Sequence, residues 1–193
     1  MSCCGKVICN GCVHAFRSRA TKEEEDICPF CRSPPESYDD EEVIQRYKKR
    51  ADLNDSQAIY DLGCMYRNGE CGLPQDFAKA LKLYHRAADL GNAQSYYNIG
   101  HLYMNGRGVD VDMKKATHYW ELAAMGGNPY ARHNLGVVEE QVGNYDRALK
   151  HYMIAARDGY SNSLENIKRV YKNGNATKDD YAEALRYTYY YKM

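Results

Sequence analysis

The sequence predicts an all-α fold: a right-handed α-α solenoid of stacked helix pairs, preceded by a small cysteine-rich segment. Three observations carry that prediction. Leu62-Gly63, Ile99-Gly100 and Leu135-Gly136 stand 37 and 36 positions apart. Ala87-Ala88, Ala123-Ala124 and Ala155-Ala156 stand 36 and 32 apart, and Gly91, Gly127 and Gly159 close the units at the same intervals. Six of the eight cysteines fall within the first 31 residues. A fixed period of this size, each unit reading as two short helices, marks a helical solenoid, because one pair cannot bury its apolar face without stacked neighbours. Such a stack offers an extended surface, suited to holding a partner rather than to enclosing a reaction.

The amino-terminal segment, 1–33, is only weakly periodic. Cys9-x2-Cys12 and Cys28-x2-Cys31 are separated by fifteen residues, a spacing that suits a four-cysteine zinc site. Zinc prefers tetrahedral thiolate or imidazole ligands, and each Cys-x2-Cys turn presents two sulfurs at the right bite. On spacing alone, Cys9, Cys12, Cys28 and Cys31 form one closed Zn2+ site. His14 is a spare ligand, better read as a surface residue. A thioredoxin-like redox role for Cys9 and Cys12 lacks the βαβ context it would need. Without metal a segment this small has too little core to fold alone.

Residues 34–53 read as a hinge and a capping helix. Pro34 and Pro35 stop any helix at the start of this stretch. A helix should begin near Asp39 or Asp40, with Glu41 and Glu42 favourable in its first turn. Laid on the next unit at an offset of 37, Tyr47 meets Tyr84, Ala51 meets Ala88 and Leu53 meets Leu90. This is the second helix of a degenerate leading repeat, with Lys48, Lys49 and Arg50 turned to water.

The solenoid is expected over 54–193, in units of about 54–91, 92–127, 128–159 and 160–193. The first unit has an A helix near 55–67 and a B helix near 76–90. In the second, Asp110 is the expected N-cap of the B helix, and Asp112 adds a charge suited to the first turn. Asn128-Pro129 opens the third unit with a capping residue and a proline at the first helical position. That unit loses the glycine-rich A–B loop and turns through Gly143-Asn144. The fourth has an A helix near 161–172 and a B helix from about Asp179, with Thr177 and Asp180 in a box-like cap.

Glycine inside a helix costs about 1 kcal/mol relative to alanine. Three recurrences at one structural position therefore imply a steric demand, a close crossing with a neighbouring helix. The alanine pairs read as the small facing surface, and Lys168 takes the glycine place in the fourth unit, where no helix lies beyond. Tyr66, Tyr84, Tyr103, Tyr119, Tyr152 and Tyr171 fall where helix packing would place them. Tyrosine suits a thin layer, burying its ring while the hydroxyl finds a polar partner. Cys64 is expected to face the core and Cys71 to lie in a loop, both as thiols.

Composition narrows the function classes. Formal net charge is zero and the sequence pI is near 7, which argues against nucleic acid and anionic membranes as partners. Tyrosines interleaved with cations between Tyr181 and Lys192 could stack on RNA, but the zero charge weighs against it. No apolar run approaches the ~20 residues of a membrane span, and the first residues lack the apolar stretch of a secretory signal. A reducing, intracellular and cytoplasmic setting is the default. No catalytic constellation emerges: His85, His101, His118, His133 and His151 have no nucleophile or metal partner at useful spacing and read as helix-surface or packing residues.

The repeats also resemble a known family. LGxxYxxGxG, DxxKA and YxxAAxxG describe Leu62, Gly63, Tyr66, Gly69, Asp76, Lys79, Ala80, Ala87, Ala88 and Gly91, with Gly72 one residue after the first pattern's last glycine. They recur at Gly100, Tyr103, Gly106, Gly108, Asp112, Lys115, Ala116, Ala123, Ala124 and Gly127, and in part in the third unit. This resembles the Sel-one-like repeat, a longer-looped relative of the tetratricopeptide repeat, over about 70% of the chain. The resemblance implies an adaptor or scaffold that binds a protein or peptide.

CCGKVICNGC followed by CPFCR resembles the later two thirds of a RING finger, whose cross-brace holds two zincs. That resemblance implies Zn2+ held by Cys4, Cys9, Cys12, Cys28 and Cys31, with Cys3 as an additional candidate. Lys6 stands where the family has a histidine, and the opening Cys-x2-Cys would precede Met1. Pro29 and Arg32 match places that touch a conjugating enzyme and ubiquitin. The leading expectation is thus a non-catalytic interaction module with a zinc-bound head. The alternative is a RING-type E3 ubiquitin ligase, or a fragment of one, with a ubiquitin-conjugating enzyme as partner and the solenoid selecting substrates.

Overall fold

A computed structural model describes residues 39–190, with side chains as far as residue 186. The cysteine-rich segment 1–33 and nearly all of the expected hinge lie outside the described residues. The chain divides into two units, Met1–Val43 and Ile44–Met193, and the second holds the helical stack.

The described residues form nine helices and no strand. They are α1 (Asp40–Asp52), α2 (Ser56–Asn68), α3 (Phe77–Asp89), α4 (Ala93–Asn105), α5 (Met113–Met125), α6 (Pro129–Gln141), α7 (Tyr145–Arg157), α8 (Asn162–Lys172) and α9 (Lys178–Tyr190). Helices α2 and α3, α4 and α5, and α6 and α7 pair as hairpins, and each hairpin packs on the A helix of the next. The last helix, α9, rests on both α7 and α8. This is the all-α solenoid of helix pairs that the periodicity predicts.

Local chemistry sets the helix ends. The Asp55 carboxylate accepts from the Gln57 and Ala58 N–H groups at 3.1 Å each, closing the start of α2. Burial pushes its pKa up, but Arg50 and the two backbone donors outweigh this and hold it below the ordinary value. Arg50 therefore does not turn to water: its Nη2 lies 2.7 Å from Asp55 Oδ2 and ties α1 to α2. Asn128 caps α6 through the Ala131 N–H at 2.9 Å, with Pro129 in the first turn. Thr177 and Asp180 exchange hydrogen bonds at the start of α9. In the second unit the N-cap of α5 is Asp112, which accepts from the Lys115 N–H at 2.9 Å, and not Asp110. The loop decides this: the Asp112 N–H donates to the Tyr103 carbonyl, as that of Asp76 does to Tyr66.

The helical glycines answer to a ring, not to the alanine pairs. A Cβ on Gly63 would lie 2.8 Å from Tyr84 Cε1, one on Gly100 2.5 Å from Trp120 Nε1, and one on Gly136 2.6 Å from Tyr152 Cε1. Each A helix thus leaves out a side chain so that the aromatic ring of its own B helix can lie against the backbone. Those rings are almost fully buried, at 0, 2 and 0% exposure for Tyr84, Trp120 and Tyr152. In the second unit the buried ring is Trp120. Tyr119, one position before it, is half-buried and stacks on Tyr103 at 5.7 Å. In the second unit the alanine pair reaches the next unit, where Ala123 and Ala124 share a core with Ala131 and Leu135 of α6, whereas Ala87 clusters with Ala51 of α1 and Ile59 of α2. Lys168, in the glycine place of α8, is 44% exposed and lies 3.8 Å from Glu165 Oε2, while α9, the B helix of the same unit, packs on α8.

Candidate binding face

One stripe of each A helix is set apart by its chemistry. Counted from the glycine, positions −3, −2, +1 and +4 fall on one helical face. In α2 these are Tyr60, Asp61, Cys64 and Arg67; in α4, Tyr97, Asn98, His101 and Met104; in α6, His133, Asn134, Val137 and Glu140. In α8 the corresponding residues are Glu165, Asn166, Arg169 and Lys172.

These side chains bond from one repeat to the next. Asn98 Nδ2 lies 3.9 Å from Cys64 Sγ, and Asn134 Nδ2 lies 3.4 Å from His101 Nε2, the same two positions one repeat apart. Arg67 Nη1 donates to Asn98 Oδ1 at 3.3 Å. His133 Nδ1 and Ser163 Oγ are 2.9 Å apart. Glu140 accepts from the Tyr152 hydroxyl at 2.7 Å and from Arg169 Nη2 at 2.8 Å. Nearer the helix starts, Asn92 and Asn128 donate to Gln57 and Gln94 of the preceding repeat, at 3.5 and 2.6 Å. Cys64 is a thiol that also receives the Tyr84 hydroxyl at 3.4 Å, and Cys71 sits in the α2–α3 loop in a left-handed backbone conformation.

Rings continue the face. Tyr97 and Tyr130 are 5.7 Å apart between centroids, and Tyr130 and Tyr160 4.9 Å. His133 lies edge-on to Tyr160 at 4.9 Å. Tyr130 keeps 45% of its surface exposed. Burial pushes the Tyr97 hydroxyl above its ordinary pKa, and the neighbouring Tyr160 and Tyr130 add to this. Burial lowers His101, helped by Arg67 and Arg107; burial and Arg169 lower His133 against an opposing Glu140. Both imidazoles are neutral at pH 7 and act as hydrogen-bonding spacers.

A groove of about 370 Å³ opens between α2 and α4, with Arg67, Asn98, His101 and Arg107 among its lining residues. Arg107 is brought there by the α4–α5 loop, which folds against the start of α3. A Cβ on Gly108 would lie 2.8 Å from the Phe77 backbone, and the Arg107 guanidinium rests 5.5 Å from the Phe77 ring centroid.

The expected metal ligands Cys4, Cys9, Cys12, Cys28 and Cys31, the additional Cys3, and the contact residues Pro29 and Arg32 all lie outside the described residues. Reading the five helical histidines one at a time missed His101 and His133. Aligning the units on their glycines is the signal that would have shown them to stand on the inter-repeat face. No described helix is long and apolar enough to cross a membrane.

Stacked hairpins that present A-helix side chains in register define a helical-repeat protein. The chain belongs to the Sel1 repeat family, whose model matches residues 56–92, 93–128 and 129–160. Proteins of this family are protein-interaction scaffolds. Among solved structures, the chain is similar to a Sel1 repeat protein from Oxalobacter formigenes. The two are 31% identical over 76% of this chain and 62% of that one, with a TM-score of 0.67. It is also similar to c5321, a protective antigen of uropathogenic Escherichia coli with an SLR fold. There the identity is 29% over 75% of this chain and 32% of that one, with a TM-score of 0.65. The chain thus spans less than two thirds of either protein. The immunity protein Pa5087 from Pseudomonas aeruginosa, 22% identical over 95% of this chain and 66% of that one with a TM-score of 0.54, shares the fold. No curated protein matches the chain.

Proposed function

We propose that this protein is a scaffold that holds a protein or peptide partner along the face of α2, α4 and α6. The observation that carries this reading is the in-register run of half-buried polar and aromatic side chains there. A face serving only solubility would be lined by long, solvated charges. Rings and amides held by inter-repeat hydrogen bonds lose little further freedom when a partner docks, which favours affinity. An extended segment would cross the helices, taking backbone hydrogen bonds from the asparagines and stacking on Tyr97 and Tyr130.

Selection from a random peptide library, displayed so that every peptide ends in a free carboxylate, tests this. The wild-type protein should enrich recurrent sequences, and the combined Tyr97→Ala, Tyr130→Ala variant should lose them while keeping its helical circular dichroism. Enrichment of nothing by the wild type, or equal enrichment by the folded variant, would overturn the reading.

The sequence further supports a zinc-held head at the amino-terminal Cys-x2-Cys pairs. The matches at Pro29 and Arg32 favour, as a second reading, a RING-type ligase whose solenoid chooses substrates. Incubation with activating enzyme, a panel of conjugating enzymes and ubiquitin separates the two: chains that depend on Arg32 and Cys28 establish the ligase, and their absence across the panel leaves the scaffold.

A further inference from the structure

The inter-repeat slot formed by position +4 of one unit and position +1 of the next occurs three times, and its occupants differ in charge. Between the third and fourth units it holds an ion pair, with Glu140 Oε2 2.8 Å from Arg169 Nη2. Between the second and third the residues are Met104 and Val137, both apolar. Between the first and second they are Arg67 and His101, and a second guanidinium, Arg107, lines the same groove. Here the described residues bring two guanidiniums and no carboxylate. Among the described residues no acidic side chain lines the groove, and neither Arg67 nor Arg107 pairs with a carboxylate. Of the acids nearest in sequence, Asp61 accepts from Gln57 at 2.8 Å, and Glu70 reaches Arg67 only through Asn68, from which it accepts at 2.6 Å.

The arginines are held rather than loose. Arg67 is half-buried, its Nε donating to Asn68 Oδ1 at 3.0 Å and its Nη1 to Asn98 Oδ1. Arg107 is braced on the Phe77 ring. One guanidinium is half-buried and the other exposed, and a carboxylate arriving between them gains charge-assisted hydrogen bonds. The slot between the third and fourth units shows, within this same chain, that the position accepts a guanidinium–carboxylate pair.

We propose that the groove between α2 and α4 binds a carboxylate of an acidic peptide partner, gripped by Arg67 and Arg107. This deepens the scaffold reading and rests on it: the groove selects the partner's charge, and the neighbouring Tyr97–Tyr130 face receives the residues beside it. The carboxylate can come from an Asp or Glu side chain or from the partner's chain end.

The test uses the peptides enriched by the selection described above. The tightest is resynthesised with its Asp and Glu replaced by Asn and Gln, and separately with an amidated end, and each is titrated against the full chain by fluorescence anisotropy. One neutralisation should weaken binding about 10- to 100-fold, the cost of losing a hydrogen-bonded charge, and which one does so identifies the source. The R67Q/R107Q variant, checked for an unchanged melting curve, should bind the parent peptide as weakly as wild type binds the neutralised one, with no further loss when both changes are combined. The inference is overturned if both neutralised peptides bind wild type as tightly as the parent, or if R67Q/R107Q leaves the effect of neutralisation intact. In either case peptide capture itself would stand. A wild-type protein that enriches no peptide removes the scaffold reading and this inference together.

Discussion

Gly100→Ala is the sharpest test of how the repeats are packed. In an ordinary helix this change gains about 1 kcal/mol, because alanine restricts the unfolded chain and favours helix. At Gly100 the new methyl would stand 2.5 Å from Trp120 Nε1, 2.6 Å from Trp120 Cδ1 and 3.0 Å from the Ala116 carbonyl oxygen. Neither obstacle can retreat cheaply: the carbonyl is backbone, and the indole is 2% exposed within a core that includes Ala123 and Leu135. Overpacking of this kind costs about 1–3 kcal/mol, and three contacts this short argue for the upper end. Subtracting the propensity gain leaves a net loss of about 2 kcal/mol. That corresponds to a fall in melting temperature of about 4–8 °C for a chain of this size. In a Trp120→Leu background the two indole contacts are removed and the Ala116 carbonyl contact at 3.0 Å remains, so Gly100→Ala should cost clearly less, giving a coupling of about 1–2 kcal/mol across the double-mutant cycle. Circular-dichroism melts of the four proteins read this directly. A Gly100→Ala protein that melts higher than wild type, or an equal effect in both backgrounds, would refute the ring-on-glycine account.

Further expectations follow from the caps and the titrating groups. Asp112→Ala should lower the melting temperature, whereas Asp110→Ala should leave it unchanged, because Asp112 carries the cap of α5. Asn128→Ala should cost about 1–2 kcal/mol in chemical denaturation, since the buried Asn128 both caps α6 and donates to Gln94. His85, His101, His133 and His151 are all held below their ordinary value of 6.5, chiefly by burial. The unfolded chain therefore takes up protons before the folded one, so their contribution is full above pH 6.5 and is lost as pH falls through the lower folded values. Melts should drop between about pH 7.5 and pH 5.5, and the combined His133→Gln, His151→Gln variant should show a smaller drop. Elemental analysis of the purified chain should find bound zinc, and Cys9→Ser with Cys28→Ser should abolish it.

The helices were legible because their signals are local. Asn128-Pro129 and the Thr177–Asp180 pair each announce a helix start within four residues of sequence, and the structure places helix starts beside both. Asp110 is the first acid after the loop and so looks like the cap. The alignment of Asp112 with Asp76 was already present in the repeats and selects correctly. Trp120 is hidden for a similar reason: residue type groups the tyrosines, whereas counting back from the alanine pairs places Tyr84, Trp120 and Tyr152 on one position. The glycines pointed to a close approach, but not to what approached, because a ring and a small helix face demand the same missing side chain. The binding face was the least legible part. Arg67, Asn98, His101 and Asn134 acquire meaning only through bonds between residues about thirty positions apart, and each alone looks like an ordinary polar residue on a helix. Arg50 shows the same limit in reverse: beside Lys48 and Lys49 it reads as solvated charge, and only the fold brings Asp55 against it.

The central claim is that partners dock on the A-helix face. Hydrogen–deuterium exchange of the full chain with and without its best selected peptide tests it most directly, supported by crosslinking from Tyr130 replaced by a photoreactive phenylalanine. Slowed exchange concentrated in α2, α4 and α6, with crosslinks to the peptide at Tyr130, is the predicted result. Protection confined to α3, α5 and α7, with no crosslink at Tyr130, would contradict it.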